Sequence, residues 1–136
     1  MKLLLDTHYL IWLLNDDASL NQRARKQIES AEAVYFSDVS ILEIGLKWRT
    51  GKLSLEPRIA AREALAVGVQ HLTISSESVL LSCDLKQAHG DPFDRLLYAQ
   101  AKLHSLRLLS VDRTLLTFGN SVVSSQSPSK QKVPRK

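Results

Sequence analysis

Apolar residues occur along this chain in short bursts that end on single carboxylates or on small polar clusters. Lys2 to Leu5 is a short apolar run that stops at Asp6, as a buried parallel strand would. Thr7 to Leu14 is then apolar nearly all round, which predicts a helix covered on most sides, by the fold or by another protein. Asn15-Asp16-Asp17 breaks it, and Ser19 is placed to cap a second helix running to about Ser30, with Arg23, Arg25, Lys26 and Glu29 on its solvated side. Ala33 to Ser37, β-branched and aromatic, predicts a second strand. A helix from Ile41 to about Thr50 follows, capped by Asp38 or Ser40, with Glu43 in its first turn and Gly51 as its stop.

The alternation continues. Pro57 opens an amphipathic helix to Val67, stopped by Gly68, and Gln70 to Ile74 predicts a third strand. Ser75 or Ser76 caps a short helix through Cys83, and Lys86 to Gly90 is loop. A helix starting at Asp91-Pro92 turns Phe93, Leu96, Leu97, Ala101 and His104 toward a core-like side. Arg107 to Val111 is a further strand, Asp112 follows it, Arg113 to Phe118 is a short helix ended by Gly119, and Val122-Val123 is an edge strand. Strands alternating with helices imply an α/β protein: a three-layer α/β/α domain around a central parallel sheet. In such folds the functional crevice lies at the carboxyl ends of the strands, where Asp6 and Asp112 are both expected.

The segment His89-Gly90-Asp91-Pro92-Phe93-Asp94-Arg95 organises the chemistry. Pro92 suits the first helical position, Asp91 before it is a good N-cap, and Asp94 falls in the first turn, where unpaired N–H groups favour a carboxylate. Taken alone, capping accounts for both acids, as a solvent-facing position accounts for Glu43. Their company with Asp6 and Asp112 supplies the second reading.

Composition narrows that reading. The 136 residues fit one domain. No apolar run reaches the ~20 residues of a membrane span. The opening Met1-Lys2-Leu3-Leu4-Leu5 looks superficially like a signal peptide, but Asp6 and Asn15-Asp16-Asp17 follow without a small-residue cleavage site. Cys83 is the sole cysteine, which excludes an internal disulfide and suits a reducing cytoplasm, and no Cys/His spacing fits zinc. The net charge of +4 comes from the tail: Lys130, Lys132, Arg135 and Lys136 lie in the last nine residues, and removing those four from 18 basic residues leaves 14 against 14 acids. The body, residues 1–123, is therefore electrically balanced, and 124–136, lacking large apolar residues, is expected to be a disordered basic tail.

If Asp6, Glu43, Asp94 and Asp112 converge, repulsion must be answered: two carboxylates ~5 Å apart repel by roughly 3 kcal/mol at an effective dielectric near 20. A divalent cation or protonation of some of the acids meets that cost. Oxygen-only ligands favour Mg²⁺ or Mn²⁺, and a metal on a few carboxylates with open water positions suits attack on a phosphodiester.

These residues resemble the PIN domain, and more narrowly the VapC-type ribonuclease toxins of type II toxin–antitoxin pairs. Leu3-Leu4-Leu5-Asp6-Thr7 is similar to the family's opening strand and first acid, and Ser40-Ile41-Leu42-Glu43-Ile44 to its helix-borne Glu. The segment from His89 through Ala101 resembles its most distinctive stretch, and Ser110-Val111-Asp112 its closing Ser/Thr-x-Asp. The resemblance runs in order from residue 2 to about 123. It implies that Asp6, Glu43, Asp94 and Asp112 form the catalytic, Mg²⁺- or Mn²⁺-binding site, with Thr7 and Ser110 hydroxyls orienting carboxylates. It implies an RNA substrate, a cognate antitoxin that covers the cleft, a homodimer and a cytoplasmic setting. His89 is open between a general base and a residue that ties the turn, and Arg95 between a phosphate contact and a surface ion pair. Trp12 and Trp48 are expected in the core or against a partner rather than stacked on bases.

Two other readings compete. An aspartyl-nucleophile phosphoryl-transfer domain would use Asp6 covalently, but the second aspartate of such phosphatases is absent from Thr7-His8-Tyr9, as is the acid pair that receiver domains place before a strand. A catalytically silent PIN-like module that binds RNA or protein is the non-enzymatic alternative; loss of one of the four acids would favour it, and all four are present.

Overall fold

The computed structural model describes residues 1–86, 90–118 and 121–124. Five strands, β1 (Lys2–Leu5), β2 (Ala33–Ser37), β3 (Gln70–Leu72), β4 (Arg107–Leu109) and β5 (Val122–Val123), form one sheet in the order β3-β2-β1-β4-β5, every neighbouring pair parallel. The helices of the described residues are α1 (Thr7–Leu14), α2 (Gln22–Ser30), α3 (Asp38–Arg49), α4 (Pro57–Ala66), α5 (Ser76–Asp84), α6 (Pro92–Leu103) and α7 (Arg113–Leu116). None of them is long and apolar enough to cross a membrane. The expected α/β/α class is the one found.

Successive side chains of a strand point to opposite faces, so Leu3-Leu4-Leu5 feeds two cores. Leu3 and Leu5 join Val34, Phe36 and Leu109 beneath Tyr9 and Leu10 of α1, Ala24 of α2, and Ala60 and Ala64 of α4. Leu4 joins Leu108 and Val122 on the other face, against Leu97, Tyr98 and Ala101 of α6 and Leu115 of α7. Burying each such leucine stabilises the fold by roughly 1.5–3 kcal/mol, which fixes the sheet between its two helical layers. α3 contributes to both cores, Ile44 to the first and Val39 to the second.

Several boundaries differ from the sequence expectation. Asn21, not Ser19, caps α2, its side chain accepting from Ala24 N at 2.8 Å; Ser19 instead donates its N–H to Asp17 within the preceding turn. α3 starts at Asp38 with Ser37 as cap, so Glu43 lies in its second turn. Ser75 caps α5, closing a reciprocal capping box with Ser78, and Gly68, at φ +92°, takes the left-handed backbone that ends α4. β3 and β4 are shorter than expected, and α7 ends at Leu116. His104 is exposed at the C-cap of α6, not turned to the core. His89, Gly119 and the tail beyond Ser124 lie outside the described residues.

The interior holds a polar link that the apolar pattern does not announce. Ser37 Oγ donates to Gln100 Oε1 at 2.5 Å, and Gln100 Nε2 donates to Thr73 O at 3.2 Å, joining the exits of β2 and β3 to α6. Gln100 is fully buried. Gln100→Met keeps the volume but strands the Ser37 hydroxyl and the Thr73 carbonyl; chemical denaturation should show a loss of about 1–3 kcal/mol.

Candidate active site

The strand order reverses at β1: β2 and β3 lie to one side of it, β4 and β5 to the other. A crevice opens at the carboxyl ends on either side of such a point. Asp6 leaves β1 there and is 4% exposed. Its N–H donates to Leu109 O at 3.1 Å, Oδ1 accepts from Tyr9 N at 2.9 Å as the cap of α1, and Oδ2 accepts from Val111 N at 3.1 Å. Burial pushes the Asp6 carboxyl above the usual range, opposed by these two N–H groups, by the charge of His8 and by the Ser110 hydroxyl. One side chain thus starts α1 and holds the exit of β4.

Thr7, also buried, donates to Glu43 Oε1 at 2.5 Å, and its Oγ1 lies 3.0 Å from Ser40 Oγ. With Thr7's one proton given to Glu43, Ser40 is the donor in that second pair. α1 and α3 therefore meet through a hydroxyl pair that orients Glu43. Asp112 donates its N–H to Ser110 Oγ at 3.0 Å, and its Oδ1 accepts from Leu115 N at 3.1 Å, capping α7. Both hydroxyls expected beside the acids, Thr7 and Ser110, contact carboxylate-bearing residues.

At the start of α6, Asp91 Oδ1 accepts from Phe93 N at 2.9 Å and from Asp94 N at 3.4 Å. Asp94 is pushed up to about 8, first by burial, then by the charges of Asp91 and Asp112, a hydrogen bond with Asp112, and the charge of Glu43. A carboxyl held protonated in this way donates to its neighbour. The structure so joins Asp94 to Asp112, sets Glu43 and Asp91 close enough to act on Asp94, and ties Asp6 in through Val111. Each of the other acids is turned onto a local donor, and among the described residues no three His, Cys, Asp or Glu side chains stand together as a ready ligand set.

Arg95 donates to Ser82 O at 2.9 Å and Leu85 O at 3.0 Å, so its guanidinium fastens the end of α5 to α6. Trp12 is half-buried against Tyr9 and His8, and Trp48 is exposed on α3. The sequence reading passed over His8, an exposed histidine beside Asp6; its place directly after Asp6-Thr7 at a helix start was the available signal. It also gave Asp91 only a cap, whereas the same carboxylate raises Asp94.

The parallel α/β fold with carboxylates near its strand-order reversal can be set beside known proteins. The PIN domain model matches residues 3–119. This chain belongs to the PIN-domain family, and within it to the VapC type. It is 30% identical over 114 residues to Ribonuclease VapC22 of Mycobacterium tuberculosis, covering 82% of this chain and 88% of that protein. Its fold is similar to that of VapC20 of Mycobacterium tuberculosis, a sarcin-ricin loop cleaving toxin, with a TM-score of 0.65 at 15% identity over 87% of this chain and 95% of that one. It is similar also to a chain of VapBC2 from Rickettsia felis, solved bound to a DNA fragment from their promoter, with a TM-score of 0.68 at 12% identity over 91% and 97%.

The raised Asp94 carboxyl has a definite thermodynamic sign. Below pH 3.8 the folded and unfolded states both hold the proton; between 3.8 and about 8 only the folded state does, so stability falls as pH rises and levels off above about 8. Asp6, also raised by burial, adds in the same direction. Urea denaturation in EDTA should give a midpoint that drops from pH 5 to pH 8.5, and Asp94→Asn should flatten the drop. A midpoint that instead rises over this range in wild type would mean that the acids are individually stabilised as anions.

Proposed function

We propose that this protein is a metal-dependent endoribonuclease and the toxin of a toxin–antitoxin pair. The observation that carries the reading is the crowding of Asp94 and Asp112, with Glu43 and Asp91 alongside, at the carboxyl edge beside Asp6. Capping explains where Asp91 and Asp112 sit; it does not explain why several acids should face one another at a desolvation cost. The family and the relative named Ribonuclease VapC22 support the same reaction class.

The donor set fits a hard divalent cation, since Asp6, Glu43, Asp94 and Asp112 offer only oxygen. We assign Mg²⁺ or Mn²⁺ to these four acids. When bound, such an ion makes water a nucleophile near neutral pH and offsets charge on the phosphodiester. The residues' own contributions are distinct. Asp94 must give up the proton it shares with Asp112, Thr7 aims Glu43, and two backbone N–H groups hold Asp6 in place without consuming both oxygens' lone pairs. Hydrolysis joins a water oxygen to phosphorus and breaks the bond to the leaving oxygen, which takes up a proton.

The partners in this reading are RNA, a cognate antitoxin that covers the crevice, and a second copy of the chain, in the cytoplasm. Exposed Leu42, Leu46 and Trp48 on α3 and Val79 and Leu80 on α5 provide apolar area for protein contacts.

The test separates the two acids of α6. Asp94→Asn should abolish cleavage of a mixed RNA pool in Mg²⁺ or Mn²⁺. Asp91→Asn should cleave and lose well under 1 kcal/mol of stability, because Asn caps nearly as well as Asp. EDTA should silence the wild type, and saturating Mg²⁺ at a hundredfold excess over its dissociation constant should stabilise it by about 2.7 kcal/mol. Cleavage that survives both Asp94→Asn and EDTA would remove the proposed mechanism; a wild type that never cleaves would favour the silent RNA- or protein-binding module.

A further inference from the structure

The two helices that carry Glu43 and Asp94 are joined at a buried point away from the acids. Ser37 Oγ accepts from Val39 N at 2.9 Å as the cap of α3 and donates its proton to Gln100 Oε1 of α6 at 2.5 Å. Gln100 Nε2 faces the carbonyl of Thr73, which can only accept, and this fixes the orientation of the amide. Both side chains are wholly shielded from solvent. Glu43 follows Ser37 by six residues and Asp94 precedes Gln100 by six, roughly 9 Å of helix in each case. Val39 and Leu97, which fall between link and acid on their respective helices, share one apolar cluster. The charge of Glu43 in turn reaches Asp94. Link, apolar contact and acids thus follow one another along a single α3–α6 seam, pinned at one end and carrying carboxylates at the other.

Stability alone does not call for this link. A buried Ser–Gln pair contributes little over an apolar pair of the same shape, and Leu4, Val39 and Leu97 already fill the seam. Apolar contact is non-directional and lets packed helices slide, whereas hydrogen bonds through one planar amide hold a distance and a direction. A cation site needs that constraint, because Mg²⁺ takes oxygen ligands at about 2.0–2.1 Å in near-octahedral geometry. Other buried polar groups already have their uses: Thr7 and Ser40 aim Glu43, Ser110 meets Asp112, and Ser78 closes the capping box of α5.

We infer that Gln100 is a positioning residue for the acidic site: through Ser37 it sets the spacing of Glu43 on α3 and Asp94 on α6 at which one divalent cation is shared. The inference rests on the metal-dependent reading above. Gln100 acts through the two helices, unlike Thr7, which bonds Glu43 directly. Losing Gln100 leaves the Thr7 bond to Glu43 and the Asp91 cap of α6 in place. Each acid then keeps its local orientation, and only the distance between them is released.

The experiment measures metal binding without RNA. Full-length wild type, Gln100→Met, Ser37→Ala and the control Tyr98→Phe are titrated with Mn²⁺ alone and followed by its electron paramagnetic resonance signal. The temperature is one at which circular dichroism shows every variant folded. Tyr98 sits on the same helix and its hydroxyl donates to Phe118 O at 3.0 Å, so the control removes a buried hydrogen bond of α6 that does not reach α3. Gln100→Met and Ser37→Ala break the link from opposite sides. Each should raise the Mn²⁺ dissociation constant about tenfold, the low end of what losing an orienting partner costs a metal site. Tyr98→Phe should bind as wild type while melting earlier. Wild-type affinity in either link variant would overturn the inference, as would an equal loss in Tyr98→Phe, since destabilisation alone would then account for it. A wild type that binds no Mn²⁺ would instead remove the metal reading, and the inference with it.

Discussion

The buried carboxylate of Asp6 is the constraint from which the rest of the architecture follows. Its backbone continues the β1–β4 ladder, one oxygen starts α1, and the other holds the chain leaving β4. Desolvating a carboxylate is tolerable only when fixed donors replace water, and here backbone N–H groups from two elements supply them. The consequence is geometric. α1 begins immediately at the strand end, so Thr7 faces α3 and Glu43, and Val111-Asp112 is drawn toward β1 instead of following the sheet outward.

What this scaffold then gathers works against stability. Asp112 caps α7 and Asp91 caps α6, uses that any folded protein would find for such residues. Asp94 differs from them in that burial and three neighbouring negative charges all act against its ionisation. Protonation relieves the repulsion in the isolated chain, and a divalent cation would relieve it while leaving the carboxylates ionised. In the proposed metal site, proton and cation would compete for the same few atoms, which would couple occupancy to stability and to pH.

The sequence revealed the frame better than the wiring. β1, β2, β5 and α1 could be read to the residue because Leu3-Leu4-Leu5, the β-branched and aromatic run of β2 and the abrupt arrival of Asp6 are local signals. Helix starts were less legible: Ser19 and Asn21 are both good caps, and the tertiary path of the 15–21 turn selects the second. Ser37 likewise captures the start of α3 from Asp38 and Ser40 because its hydroxyl also reaches Gln100, sixty-three residues away. No local rule contains such a partner. For the same reason Arg95 could be read as a phosphate ligand or a surface ion pair, while its carbonyl partners on α5 became apparent only in three dimensions.

Charge placement carries the argument one step further. An acidic crevice repels the very polyanion it is proposed to cut, and over distances beyond about 8 Å salt screens any compensating charge. Four basic residues near the end of the chain raise the overall net charge, but a total says nothing about the field at the crevice. Cations must stand close by, yet off the carboxylates themselves, or they would pair with the acids and displace a metal. A body whose charges balance has no general basic coat, so any charge that offsets the proposed crevice is local.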